Sequence, residues 1–167
     1  MTDAATIERA PMPGASPQAP SPSASYPQPS AVLRLGMPHL GASGLCEGFA
    51  LSTAADLHWA SIARRAGVAI SRLVDVTGAR ALPSIVAARV TGALGGFRED
   101  AFVRLDQVEA PAPENGWRSV LRIRTVDGSA CADVELVSRF ARREGPSNAA
   151  LGPAEMPSAL RAAPPET

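Results

Sequence analysis

The sequence predicts an α+β domain: one long helix laid against an antiparallel sheet of about five strands. Three observations carry that expectation. Around Thr53 to Gly67 apolar side chains recur at the helical period, with end signals on both sides. From Leu82 onward the period changes to two. Between two such alternating runs stands Asp127-Gly128, the signature of a two-residue hairpin.

Taken in order, residues 31–40 (AVLRLGMPHL) begin as a strand and break at Gly36 and Pro38. Gly41, Gly44 and Gly48 then punctuate a loop, GASGLCEG. Thr53 suits an N-cap, and Asp56 three residues on completes a capping-box-like pair. Gly67 sits just past the expected end, with Arg64 and Arg65 where a cation complements the helix dipole. Ala55, Trp59, Ile62 and Ala66 form the expected apolar stripe, which His58 borders. LPSIVAARVTG reads as a strand without a clear face, and AFVRLDQVEA puts Ala101, Val103 and Leu105 opposite Arg104 and Asp106. The hairpin turn fixes a register that pairs Val126 with Ser129. One face then collects Trp117, Ser119, Leu121, Ile123 and Thr125 with Ala130, Ala132, Val134, Leu136 and Phe140. The other carries Arg118, Arg122 and Arg124 against Asp133, Glu135 and Arg139, with Arg122 directly across from Asp133. One apolar and one charged face emerge from the turn alone, which is the consistency a real sheet requires.

Composition narrows the function. A chain of 167 residues holds one domain of ordinary size. Formal net charge is +0, so no global field points to nucleic acid or an anionic membrane. Every basic residue is arginine, which removes Schiff-base and lysine-nucleophile chemistry. Cys46 and Cys131 lack metal-ligand spacing and read as reduced packing thiols of a cytoplasmic protein. Asp3 and Glu8 interrupt the N-terminus, so no signal peptide is expected, and no run approaches the ~20 apolar residues of a membrane span. Residues 1–30, rich in proline, serine and alanine, are expected to be a disordered arm; it holds the only tyrosine, Tyr26. Residues 31–147 form the expected domain and 148–167 a flexible tail.

The order strand, helix, antiparallel sheet resembles the hot-dog fold. PHLGASGLCEGFALSTAADLHWASIARRAG is similar to the loop-and-helix segment of hot-dog thioesterases, and DGSACADVELVSRFARRE to their closing strand. A closer likeness is to biosynthetic-cluster proteins of the leinamycin-type bifunctional acyltransferase/decarboxylase family. It rests on Leu35-Gly36-Met37-Pro38, Gly44-Leu45-Cys46-Glu47 and Asp56-Leu57-His58-Trp59, with FARREGPSNAAL similar to the close of that family's first half. The likeness spans residues 32–151. It implies processing of an acyl thioester on coenzyme A or an acyl carrier protein in polyketide or nonribosomal-peptide biosynthesis, by acyl transfer, hydrolysis or dehydration. No cofactor is implied beyond the coenzyme A or phosphopantetheine of the substrate, and no metal. Two departures stand out. The relatives carry two hot-dog units and this chain one, which implies a homodimer or pairing with a second hot-dog chain. Their acyl-bearing tyrosine has no counterpart within the domain, so that mechanism does not transfer.

The resemblance places chemistry where the loop meets the helix, since free amides and the positive dipole end polarise a thioester carbonyl. Glu47 is the candidate base or nucleophile, against a plain role in capping nearby N–H groups. His39 is a candidate base or carbonyl donor, against a water-facing loop histidine. The amides of Gly44, Leu45, Cys46 and Glu47 are expected to hold the carbonyl oxygen, with Asp56 and His58 also beside the substrate. Asp56 has the alternative of a helix cap, His58 of a satisfied helix-flank residue, and Cys46 of an acyl nucleophile or a packing thiol. Ser43 lacks a nucleophile elbow. Arg142 and Arg143 suit phosphates, or are solvated strand-end charges. The rival to an enzyme is a non-catalytic hot-dog subunit or a carrier-protein docking module.

Overall fold

The computed structural model describes residues 30–112, 114–145 and 150–161. The expected disordered arm with Tyr26, and the end of the expected tail, lie outside the described residues. β1 (Ala31–Arg34) leads through a 3-10 turn at Met37–His39 into a small hairpin of β2 (Leu40–Gly41) and β3 (Gly44–Leu45), then α1 (Glu47–Ala66). After it come β4 (Leu82–Gly92), β5 (Phe102–Ala112), β6 (Gly116–Thr125), β7 (Cys131–Arg143), β8 (Leu151–Pro153) and the short α2 (Ser158–Arg161). The main sheet runs β1-β5-β6-β7-β4, with β8 along the end of β7, all antiparallel. α1 packs on β4, β6 and β7. This is the hot-dog fold, with six strands where the sequence suggests about five.

The β6–β7 hairpin follows the register set by its turn. Arg122 stands opposite Asp133 with Nε 3.1 Å from the carboxylate, and Arg118 reaches Glu135 at 2.6 Å. All ten residues assigned to the apolar face are buried. Both cysteines are free, but Cys131 faces outward instead of packing, because it falls in the solvent phase of β7; Cys46 is half-buried.

Helix α1 departs from the sequence expectation at its start and in its buried face. It begins at Glu47, two turns before Thr53, with Cys46 in extended conformation at the N-cap and its carbonyl accepting the Ala50 N–H at 3.0 Å. Thr53 and Asp56 therefore cap nothing. Ala50 and Leu51, good helix formers, let the helix propagate backwards from Thr53, and the Glu47 carboxylate suits the positive end of the dipole. The other end is as expected: Gly67 takes φ 68°, closing the helix in the left-handed conformation glycine tolerates. The buried face is Ala50, Ala54, His58, Ser61 and Ile62, while Trp59 remains 37% exposed. The expected stripe is thus displaced by one residue, about 100° of rotation, which moves His58 from the border to the centre.

The segment expected as a flexible tail is instead packed over residues 151–161. β8 pairs Leu151, Gly152 and Pro153 with Arg143, Arg142 and Ala141. Met156 and Leu160 join Ile62, Leu73, Ala81, Trp117 and Phe140 in a second apolar cluster at the far end of α1. Burying each such side chain contributes roughly 1.5–3 kcal/mol, enough to order a short segment whose prolines suggest a loop. Pro153 lies in a three-residue edge strand, a position proline tolerates.

Candidate active site

The corner between the β2–β3 hairpin and α1 is held by backbone. The Cys46 N–H donates to the His39 carbonyl at 2.9 Å, tying the N-cap to the 3-10 turn. Gly44 adopts φ +129° against the Leu94–Gly96 turn, where a Cβ would lie 2.2 Å from the Leu94 carbonyl oxygen. Only glycine lets these two turns approach so closely. Beside the hairpin opens a cleft of about 360 Å³, lined by residues 40–44 with Gly95, Phe97, Arg98 and Glu99. Arg98 donates to the carbonyls of Gly95 and Phe97, which fixes its guanidinium at the rim.

His39 is half-buried, its ring 4.6 Å from that of Phe49 and tilted by 54°. Its Nδ1 accepts the Gly36 N–H at 2.9 Å. A backbone amide can only donate, so the neutral imidazole carries its proton on Nε2. His39 thus presents an N–H donor beside the first turn of α1. The amides in that turn without an intrahelical acceptor are those of Glu47, Gly48 and Phe49, because Ala50 makes the first helical bond. The donor set stands one step later than the sequence suggests. Gly44 and Leu45 form a strand, and the Cys46 amide is spent on His39. Glu47 is exposed and does not line the 360 Å³ cleft. Asp56 is exposed on the helix surface.

His58 lies far from this corner, fully buried between helix and sheet. Its Nδ1 is 2.6 Å from Ser119 Oγ and its Nε2 2.8 Å from Ser138 Oγ, while the Ser61 hydroxyl donates to the His58 carbonyl. Burial pushes its pKa down to about 4, so the ring is neutral near pH 7; one serine donates to it and the other accepts. Ser119 falls on the apolar face in the turn-set register, and its partner is not visible there. That position was the available signal, since a buried hydroxyl requires a partner. Gln107 and Glu109, which continue the inner phase of β5, were also missed. Among the described residues, no three His, Cys, Asp or Glu side chains group as metal ligands would, and no helix is long and apolar enough to cross a membrane.

Comparison with known structures shows what this architecture is similar to. The dynemicin thioesterase superposes with TM-score 0.60 at 12% identity, over 80% of this chain and 92% of that one. A 1,4-dihydroxy-2-naphthoyl-CoA thioesterase from Synechocystis gives 0.59 at 9% identity, over 79% and 91%. A gentisyl-coenzyme A thioesterase gives 0.55 at 12%, over 79% and 96%. At such identities the likeness establishes the shared hot-dog fold. No protein-family model and no curated protein sequence matches the chain.

Proposed function

We propose that this chain hydrolyses acyl thioesters, the acyl group arriving on coenzyme A or on an acyl carrier protein. The observation that carries the reading is the hairpin-to-helix corner. There the amides of Glu47, Gly48 and Phe49, the positive end of α1 and the His39 Nε2–H stand within one helical turn. As water adds to a thioester carbonyl, the oxygen gains negative charge, and donors already in position stabilise it more than the ground state. Glu47 accepts the proton of the attacking water; the C–S bond then breaks, and the thiolate leaves as the thiol with that proton. His39 acts as donor and not as base, because Gly36 occupies its Nδ1 lone pair. The thioesterases with the same fold support hydrolysis over transfer or dehydration. The resemblance to leinamycin-type proteins favours a polyketide or nonribosomal-peptide pathway as the setting.

An exposed Glu47 needs a second wall. β4 ends the sheet with 11 residues, an outer edge unpaired among the described residues, an irregularity at Val86 and that valine 54% exposed. A second copy, or another hot-dog chain, pairing along this edge continues the sheet and encloses the corner. The same exposure favours a second reading, a non-catalytic subunit that supplies only fold and docking surface. Thiol release from a panel of acyl-CoA thioesters separates the two. Under the catalytic reading Glu47→Gln lowers kcat/KM by about 10²–10⁴-fold with the dimer intact. Equal rates in the two proteins, or no turnover by either, favour the subunit.

A further inference from the structure

Gln107 is only 4% exposed, yet among the described residues neither its amide nitrogen nor its amide oxygen has a hydrogen-bond partner. The indole N–H of Trp117, itself 1% exposed, is likewise unpartnered, as is Glu109 Oε2. The three residues are neighbours on the inner face of the sheet. Gln107 and Glu109 are successive inward positions of β5, Glu109 pairs with Ser119 of β6, and Trp117 is the next inward position beyond Ser119. Ser119, across from Glu109, is already taken by His58. Buried polar groups in folded proteins are nearly always bonded, and a cluster of exceptions demands an explanation. Replacement by apolar side chains would remove the penalty, so its retention has a use outside stability.

Resting on the thioesterase reading, we infer that this inner-face row is a specificity subsite for an acyl group carrying a hydroxyl. Gln107 and Trp117 supply donors, while Gln107 and Glu109 supply acceptors. A hydroxyl, which both donates and accepts, satisfies the Gln107 amide, the member of the row nearest the candidate site. An alkyl chain does not, and a carboxylate meets Glu109. The level of Gln107 fits a chain entering from the candidate site. His58, which bonds Ser119, is 11 residues beyond Glu47 in α1, about 16 Å at the helical rise. Gln107 lies one inward position nearer the amino end, about 7 Å less. An extended acyl chain of medium length covers that span from a thioester held at the first turn.

The test compares decanoyl-CoA with 10-hydroxydecanoyl-CoA on the full chain and on Gln107→Leu and Trp117→Phe. The wild type is expected to favour the hydroxylated thioester at least tenfold in kcat/KM. Gln107→Leu is expected to bring the ratio close to one and to raise Tm, while Trp117→Phe, farther along the row, is expected to lower it less. A ratio unchanged in a folded variant of each residue overturns the subsite, because a buried water then accounts for the cluster. If neither thioester is hydrolysed, the hydrolytic reading fails separately. The subsite is then judged by calorimetric Kd: a tenfold preference lost in Gln107→Leu supports it, and equal affinity overturns it.

Discussion

In the first half of α1, Ala50 and Ala54 present methyl groups to a cluster that includes Leu121, Ala132, Val134 and Leu136. In the second half, His58 and Ser61 occupy the equivalent stripe; the His58 ring meets Ser119 and Ser138, and the Ser61 hydroxyl donates to the His58 carbonyl. One helix thus sits on one sheet through two kinds of contact. Methyl against aliphatic is tolerant of register and stabilises by area. A ring held at both nitrogens fixes rotation and translation of the helix, at the risk that any missing partner leaves a buried orphan. The comparison teaches that the front half is held by apolar area alone, while the back half adds to the apolar contact of Ile62 a polar anchor that sets the helix's position.

The strongest way to break that comparison is His58→Ala. It removes a buried ring and strands two hydroxyls, so a loss of about 3–5 kcal/mol is expected by urea denaturation. A loss below about 1 kcal/mol would mean that the serines never depended on the ring. The triple variant His58→Leu, Ser119→Ala, Ser138→Ala is expected to recover most of that loss, because no polar group is left unpaired.

Acid gives the next largest effect. The His58 pKa is lowered from 6.5 to about 4 on folding, so above pH 6.5 the ring is neutral in both states and stability is flat with respect to it. Between pH 6.5 and about 4 the unfolded chain binds the proton first, and the fold loses on the order of 3 kcal/mol across the window. Asp75, held below its usual value first by the Thr77 hydroxyl, adds loss at lower pH, as its depressed value requires. The slope between pH 6.5 and about 5, above the range of the carboxylates, is expected to vanish in the triple variant; persistence there would assign it elsewhere.

Smaller effects sharpen the picture at the front half and outside. Ala54→Leu overfills a methyl-sized site and is expected to destabilise by about 1–3 kcal/mol, measured by the urea midpoint. Arg122→Ala, which removes an exposed cross-strand ion pair, is expected to shift stability by less than about 1 kcal/mol. A larger effect there would mean that the outer face is covered in the native assembly.

What was legible in the sequence follows the same division. The β6–β7 register could be read because Asp127-Gly128 pins it and ten residues then agree on a face. The start of α1 could not, because Thr53 and Asp56 imitate a cap while the Cys46 backbone provides the real one. A one-residue error in the buried stripe came from giving the inner face to Trp59, although small Ala50 and Ala54 allow the closest approach to the sheet. The partners of His58 lie 61 and 80 residues away, beyond any local pattern. At the candidate site, residue types at the corner were visible. Which amides remain free depended on a hydrogen bond from Cys46 to His39, which only the folded chain reveals.

The late pairing of β8 and the burial of Met156 and Leu160 carry a consequence for how the molecule is made. β1 waits for β5 about seventy positions later, and β4 for β7. Even with those joined, the seam over Ile62, Trp117 and Phe140 stays open until the chain has grown past Leu160. A nascent chain therefore keeps that apolar seam uncovered until its last elements have emerged, although the consecutive β5–β6–β7 pairs have no such wait.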